Sequence, residues 1–176
     1  MLEKEEILGY NWGTDESEID YAALHQNRCK ILQKAFERFD TNAQDFQDFV
    51  KKQSEWLEQY ALFMTLKTDN LYKNWSEWPS EYRNTQTVAL EKYQKKNYNT
   101  ITFWKFCQYK FFEQWEDLKN YANSKGIYII GDISFYVGYD SVDVWAERQL
   151  FMMSANDTPE YVAAAGPGKY SESGQV

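Results

Sequence analysis

The sequence predicts an α/β fold that is mostly helical and contains few strands. Two observations support this prediction. Between residues 21 and 125, apolar side chains recur at the spacing of amphipathic helices. Residues 127–130, with the sequence IYII, lie between two glycines, and a short run of β-branched and aromatic residues in that setting is typical of a strand buried on both faces. Such a strand suits a parallel sheet.

The first part of the chain is predicted to be helical in three stretches. A short helical turn is expected near Leu2–Leu8. Asp20 can cap a helix that starts near Tyr21 and ends near Phe39. From residue 43 to about residue 67, apolar positions continue at helical spacing, and the later part is apolar on most sides. A helix of that kind is buried by its neighbours.

A loop and two further helices are predicted next. The loop, residues 69–82, contains the segment WSEWP. Its tryptophans could bind a ligand or cover the core, and covering the core is favoured. Helices follow at residues 87–96 and 98–124, and Lys125-Gly126 ends the second one because glycine tolerates the backbone conformation past a last helical turn.

Only short elements are predicted after the strand. A helical turn is expected at residues 141–145, with Asp140 or Ser141 as its cap. Residues 150–153 and 160–163 flank a turn-forming Asn-Asp pair and could form a β-hairpin.

Composition argues against several classes of partner. The 176 residues include 19 lysines and arginines against 27 aspartates and glutamates, a net charge of −8. We therefore expect no nucleic-acid partner, because a basic surface is needed to neutralise the phosphate backbone. No apolar run is long enough to predict a membrane span. Aromatic residues make up 18% of the chain, and their flat faces suit sugar rings as well as core packing, which is favoured for most of them.

The cysteines, the histidine and the N-terminal sequence predict a cytoplasmic protein without a metal site. Cys29 and Cys107 lie far apart in predicted helices, which is typical of reduced thiols rather than of a disulfide framework or a metal site. The single histidine, His25, cannot form a histidine-based metal cluster and is expected on a helix surface. The sequence MLEKEEIL lacks the features of a signal peptide.

Asp132 is the first candidate for a functional side chain. It directly follows the predicted strand and Gly131. The α/β barrels place their catalytic groups at the C-terminal ends of parallel strands. Alternatively, Asp132 caps a loop or the next helical turn, and without further context this second interpretation is favoured.

The predicted elements do not complete a sheet. One strand cannot satisfy its own backbone hydrogen-bonding groups in a core, and a parallel strand needs a parallel neighbour. A complete (β/α)8 barrel typically needs about 250 residues. The chain is therefore expected to be either a helical domain with a small irregular sheet or a piece of a larger protein. Its strongly apolar helices favour the second possibility.

Several segments resemble one enzyme family. Residues 131–145, GDISFYVGYDSVDVW, resemble the GDIPIYVAYDSADVW segment of the 4-alpha-glucanotransferases, also called amylomaltases or disproportionating enzymes, which form glycoside hydrolase family 77. Residues 49–67, FVKKQSEWLEQYALFMTLK, are similar to the family's W-L-x-x-Y-A-L-F-M-A-L-K helix, and WSEWP is similar to its W-x-x-WP loop. The resemblance covers nearly the whole chain.

The resemblance implies a partial (β/α)8 TIM barrel and a glycosyl-transfer activity. Residues 1–176 would be an internal fragment of the catalytic barrel domain, with a helical insertion at about 21–125 and one barrel strand with its following loop at 126–176. The implied activity is retaining transglycosylation, in which a carboxylate forms a covalent glycosyl intermediate and a second glucan accepts the glycosyl group. The implied partners are α-1,4-glucans and maltooligosaccharides, with no cofactor and no metal.

The resemblance also assigns roles to individual residues. The family's nucleophile, acid/base and third carboxylate would lie beyond Val176, so the bare chain is expected to be inactive. Asp132 matches a family aspartate at the end of the third barrel strand, which supports the charged network around the nucleophile and is not itself the nucleophile. For Trp145, structural packing is favoured at least as much as groove lining. The implied substrate-binding residues are Tyr139, Asp140, Ser141, Trp145 and Tyr170.

Departures from the family pattern leave other functions open. Ser134 stands where the family usually has proline, and the C-terminal VAAAGPGKYSESGQV matches the family's V-A-G-x-P-P-D-Y-F-S-x-T-G-Q only in part. The substrate contact of residues 163–170 is therefore an open question. The alternatives are a non-catalytic carbohydrate-binding or interaction module and the relic of a degraded gene, which the altered C-terminal loop would fit.

Overall fold

The computed structural model describes residues 2–13, 17–133, 136–162, 164 and 166–169. Within these ranges no helix is both long enough and apolar enough to cross a membrane. The helices are α1 (Lys4–Leu8), α2 (Tyr21–Glu37), α3 (Gln44–Lys52), α4 (Ser54–Asp69), α5 (Ser80–Arg83), α6 (Thr87–Lys96), α7 (Tyr98–Ser124) and α8 (Val142–Ala146), and 3-10 turns span Trp75–Glu77 and Arg148–Leu150.

The long helix α7 organises one of two apolar cores. Its N-terminal half packs against α2, α3 and α4, while Phe111, Trp115, Leu118 and Tyr121 in its C-terminal half are exposed. Aromatic rings fill this core in the edge-to-face and tilted arrangements that ring quadrupoles favour. Its buried members are Ala35, Phe46, Phe103, Phe106 and Tyr109.

Helix α4 supplies the floor of the second core. Its C-terminal half is buried on several sides, as the all-round apolar sequence predicts. The WSEWP segment, residues 75–79, covers this floor; it begins with the 3-10 turn and is followed directly by α5. The buried members of the core are Ala61, Leu62, Phe63, Leu66, Trp75, Trp78, Tyr93, Ile101, Val144 and Trp145.

Both tryptophans of WSEWP belong to the core and do not face solvent. Trp75 is 0% exposed and Trp78 is 3% exposed. The indole N–H of Trp78 donates to the carbonyl oxygen of Lys73 at 3.2 Å, so its polar atom is satisfied inside the protein. The prediction that these tryptophans cover the core is confirmed.

Two predicted helix caps are confirmed by their hydrogen bonds. The Asp20 carboxylate accepts from the backbone N–H of Ala23 at 2.9 Å and caps α2. The Ser141 hydroxyl accepts from the backbone N–H of Val144 at 3.3 Å and caps α8. Of the two cap candidates for α8, the structure selects Ser141 and leaves Asp140 for another contact.

The end of α7 also agrees with the sequence. Gly126 has a φ of +77°, a conformation that side-chain-bearing residues avoid. The N–H of Ile127 donates to the carbonyl oxygen of Ala122 at 3.0 Å, and the N–H of Gly126 donates to that of Asn123 at 2.9 Å. This pair of bonds is the Schellman arrangement, which satisfies the last carbonyl groups of a helix.

The predicted buried strand at residues 127–130 is wrong for this chain. These residues form no strand, and they are exposed, Ile130 to 94%. The physical reason is that a strand is stable only when its backbone groups pair with a neighbour, and no neighbouring strand exists among the described residues. The mostly helical part of the prediction is confirmed, whereas a partial barrel is not seen in this part of the chain.

The predicted hairpin is reduced to a turn with one bridge. Met153 and Pro159 form a single antiparallel bridge, and the N–H of Glu160 donates to the carbonyl oxygen of Met152 at 2.9 Å. Leu150 belongs to a 3-10 turn instead of a strand, and residue 163 lies outside the described residues. Proline lacks a backbone N–H, so Pro159 cannot extend the ladder.

Candidate substrate-binding site

Asp132 is one of the exposed residues of the predicted site. Its side chain is exposed, and its Oδ1 accepts a hydrogen bond from the backbone N–H of Ile133 at 2.8 Å. Across the described ranges, its Oδ2 has no protein partner. One carboxylate oxygen is therefore available to an external donor.

Tyr139 is held at three points. Its carbonyl oxygen accepts from the indole N–H of Trp75 at 2.7 Å, and the two ring centroids lie 5.1 Å apart. Its hydroxyl donates to the carbonyl oxygen of Asp157. The carbonyl oxygen, the ring and the hydroxyl of Tyr139 therefore all contact other protein groups, and Tyr139 attaches its part of the chain to the WSEWP segment.

Asp140 lies between a buried ammonium group and a backbone amide. The Nζ of Lys67 donates to Asp140 Oδ2 and to the carbonyl oxygen of Lys73, the latter at 2.9 Å. Asp140 Oδ1 accepts from the backbone N–H of Trp75 at 3.2 Å. A buried charge is tolerated only when it is paired and hydrogen-bonded, and this arrangement meets that requirement for Lys67. Both Asp140 oxygens are therefore used within the protein.

Trp145 lies inside the second core. It is buried, and its indole N–H donates to the carbonyl oxygen of Tyr82 at 3.0 Å. Its ring centroid lies 5.7 Å from that of Phe63 and 6.0 Å from that of Trp78. Together with the cap formed by Ser141, these contacts attach α8 to α4 and to the WSEWP segment.

The structure brings most of the predicted residues onto one anchored segment. Tyr139, Asp140, Ser141 and Trp145 all lie between residues 139 and 145, and each contacts the helical core or caps α8. Asp132 precedes this segment and makes none of these contacts. Tyr170 lies outside the described residues.

Two cations at this site were missed by the sequence analysis. Lys67 is one. The other is Arg148, whose guanidinium carbon lies 4.6 Å from the Trp75 ring centroid, whose Nη1 donates to Asp157 Oδ1 at 2.8 Å and whose Nη2 donates to the carbonyl oxygen of Arg83. A lysine at the end of an all-round apolar helix is itself a signal, because such a charge needs a buried partner.

Two tyrosines in and beside the second core, Tyr93 and Tyr82, are not candidate bases. The Tyr93 hydroxyl donates to the Asp69 carboxylate, and its ring lies 5.1 Å from that of Tyr82. Burial, and then the Asp69 contact, raises the pKa of Tyr93 far above its ordinary value. Burial also raises the pKa of Tyr82. Both phenols stay protonated at neutral pH.

The arrangement can position and hydrogen-bond a polar ligand. The anchored segment fixes the backbone, and the free oxygen of Asp132 can accept from a hydroxyl group. Over the ranges that the structure describes, no set of three or more His, Cys, Asp or Glu side chains could hold a metal ion. Cys29 and Cys107 are free thiols, and burial raises the pKa of Cys107 to about 12.

Comparisons with known proteins agree with one another. The model of glycoside hydrolase family 77, described as 4-alpha-glucanotransferase, matches residues 2–176. The chain is similar to a 4-alpha-glucanotransferase of Clostridium butyricum, with 34% identity over all of this chain and 37% of that protein. It is also similar to one of Streptococcus pneumoniae, with 37% identity over all of this chain and 35% of that protein. The chain therefore spans about a third of the length of these curated relatives.

A solved structure matches as well. It is the amylomaltase from Streptococcus agalactiae in complex with acarbose, which superposes with a TM-score of 0.89 at 32% sequence identity. The match covers 99% of this chain and 36% of that one. Nearly all of the helical arrangement described above is therefore shared with part of this relative.

Proposed function

Because the chain belongs to the 4-alpha-glucanotransferase family, glycoside hydrolase family 77, we propose that it is part of an enzyme that transfers α-1,4-glucan segments between maltooligosaccharides. The observation that carries this proposal is the family match over residues 2–176, which includes the anchored segment at residues 139–145. The oligosaccharide in the solved relative supports a saccharide ligand. The cytoplasmic location expected from the sequence stays a prediction.

The proposed reaction is a retaining double displacement. A nucleophilic carboxylate attacks the anomeric carbon of the donor glucan, the glycosidic bond breaks, and a carboxylic acid gives its proton to the leaving sugar oxygen. The hydroxyl of an acceptor glucan then attacks the anomeric carbon of the covalent intermediate and loses its proton to the same acid/base group, while the bond between the sugar and the nucleophile breaks and the carboxylate is released. Neither carboxylate belongs to the motifs matched here, so we expect the 176-residue chain alone to be inactive.

Within this proposal, Asp132 supports the charged network around the nucleophile. Its exposed carboxylate and uncommitted oxygen fit such a contact. The roles of Tyr139, Asp140 and Ser141 would be mainly indirect, because their polar atoms already bind protein groups. We propose that they orient the loop between Asp132 and α8, and that substrate reaches them only at the edge of this loop.

The proposal also gives residues 127–130 a place in a barrel. An exposed apolar run that forms no strand in this chain is what a parallel barrel strand would leave when its two neighbours are missing. Residues 21–125 would then be the helical insertion, and residues 126–176 would contribute one barrel strand and its following loop.

A chimera tests this function. The matching segment of the Streptococcus agalactiae amylomaltase is replaced by this chain, and transfer is measured as glucose release and product ladder from maltotriose. We expect the chimera to disproportionate maltotriose. Asp132→Asn in the chimera should lower kcat by about 100-fold, the loss typical when one electrostatic support of the transition state is removed.

A matched control is Glu91→Gln, which neutralises an exposed carboxylate on α6. It should leave kcat unchanged. Equal rates for the Asp132→Asn and Glu91→Gln chimeras would overturn the role of Asp132, and an inactive but folded chimera would count against the function. Disproportionation of maltotriose by the purified 176-residue chain would contradict the expected inactivity.

A further inference from the structure

A groove between α4 and the segment after residue 136 is not used by the site described above. It has a volume of about 430 Å³. One wall comes from the first half of α4, and the other comes from α8 and its flanking residues. The groove, called the α4–α8 groove below, is lined by Trp56, Gln59, Tyr60, Val137, Val142, Asp143, Glu147, Leu150 and Phe151.

The α4 wall presents two aromatic rings in fixed positions. Trp56 and Tyr60 lie one helical turn apart, so they share a face of α4. The Trp56 indole N–H donates to Gln53 Oε1 at 2.8 Å, and its ring stacks on Phe112 at a centroid distance of 5.8 Å and an interplanar angle of 29°. A ring held in this way loses little conformational freedom when a ligand binds, which favours affinity.

The polar groups of the groove suit a neutral ligand rich in hydroxyl groups. Among the described residues, the Gln59 amide and the Asp143 carboxylate have no side-chain hydrogen-bond partner, and both residues are exposed. Glu147 Oε2 accepts from the Gln149 side-chain amide at 2.5 Å. Two carboxylates disfavour an anionic ligand by charge repulsion. Free amide and carboxylate oxygens beside rigid rings match the hydroxyl edges and apolar faces of a sugar.

We propose that the α4–α8 groove is a non-catalytic subsite for an α-1,4-linked maltooligosaccharide, with Trp56 as the stacking platform and Asp143 as a hydroxyl acceptor. This proposal rests on the proposed function for its ligand class. The groove is close to the predicted site along the chain, because its lining residues Val137, Val142 and Asp143 flank Tyr139–Ser141. A glucan bound in the groove would keep a donor or acceptor glucan chain close to the anchored segment, residues 139–145.

Calorimetric titration of the full 176-residue chain with maltoheptaose tests the subsite. We expect saturable binding, with cellohexaose as the β-1,4-linked comparison binding more weakly. Trp56→Ala should lower the affinity about tenfold, as expected for a central aromatic contact, whereas Trp56→Phe should retain most of it. Asp143→Asn should weaken binding less, and we expect it to leave folding intact because Asp143 is exposed and, within the described part of the chain, its side chain has no hydrogen-bond partner.

The control is Trp115→Ala, since Trp115 is 40% exposed on α7 and does not line the groove. It should bind maltoheptaose like the unchanged chain. Absence of binding by the folded chain, or equal affinities for Trp56→Ala and Trp115→Ala, would overturn the subsite. If the chimera transfers glucan while Trp56→Ala and Trp115→Ala bind maltoheptaose equally well, the subsite proposal is wrong and the transferase proposal stands. If the chain binds through Trp56 while the chimera is inactive, the subsite stands and the transferase function fails.

Discussion

Two neighbouring segments of the 126–146 region are surrounded very differently. Residues 127–130 are entirely apolar or aromatic, yet all of them are exposed. Residues 139–146 include polar and charged side chains, yet Val144 and Trp145 are buried in the second core. Apolar composition is therefore not sufficient for burial in this region. The difference shows that burial depends on whether the chain supplies a partner surface.

The partners of the two segments explain the contrast. The segment at 139–146 contacts Trp75 and Lys67, which arrive from the WSEWP segment and the end of α4. These contacts give hydrogen-bond partners to the Tyr139 carbonyl and the Asp140 carboxylate, and the Trp75 ring packs against the Tyr139 ring. Over the described ranges, residues 127–130 have no such surface, and the hydrogen bond that the Ile127 N–H donates to the Ala122 carbonyl is a local bond that ends α7. Three substitutions can break or sharpen this contrast.

The largest effect is expected for Trp75→Ala. Trp75 is fully buried, contacts Tyr139 through ring and indole N–H, and lies under the Arg148 guanidinium. Deleting the ring leaves a cavity and removes the anchor of the 139–146 segment. We expect a loss of about 3–5 kcal/mol in the free energy of unfolding, measured by urea denaturation.

Trp115→Ala again serves as the control, because it removes the same atoms from a half-exposed site. Its cost should be below about 1 kcal/mol. If both variants lost the same stability, the buried anchor would have no special role, and the account of the 139–146 segment would be wrong.

The sequence predicted best those features that depend on residues close together in the chain. The caps at Asp20 and Ser141, the glycine end of α7 and the burial of α4 follow from side-chain type and spacing, and all are confirmed. The strand at residues 127–130 failed because strand formation depends on distant neighbours, which a local pattern does not contain. Lys67 was missed as a partner of Asp140 for the same reason, since the two residues lie 73 positions apart.

The second substitution, Lys67→Met, keeps the length of the side chain and removes its charge. Asp140 then loses its ion pair and keeps only the Trp75 N–H. Since the Asp140 side chain is 35% exposed, water replaces part of the lost interaction, and the expected cost is about 2 kcal/mol, less than for a fully buried pair.

A double-mutant cycle with Asp140→Asn measures the coupling of the pair. The double variant Lys67→Met/Asp140→Asn should be more stable than the sum of the single losses predicts, because it leaves no unpaired carboxylate. Strict additivity of the two single losses would show that the ion pair does not hold the 139–146 segment to α4.

The smallest effect is expected for Ile130→Ser in the 176-residue chain. Ile130 is almost fully exposed, so replacing it should change the free energy of unfolding by no more than about 0.5 kcal/mol. The matched buried change is Val144→Ser, where a residue 2% exposed loses its apolar contacts and gains a hydroxyl group. That variant should lose about 2–3 kcal/mol in the same urea denaturation experiment.

The same Ile130→Ser substitution should behave differently in the chimera with the Streptococcus agalactiae amylomaltase. If residues 127–130 become a barrel strand between two neighbours, Ile130 becomes buried, and its replacement by serine should then cost several kcal/mol, comparable to Val144→Ser. Thermal unfolding of the two chimeras measures this change. An Ile130→Ser chimera as stable as the parent chimera would mean that the segment stays exposed there too, and the barrel-strand assignment would fall.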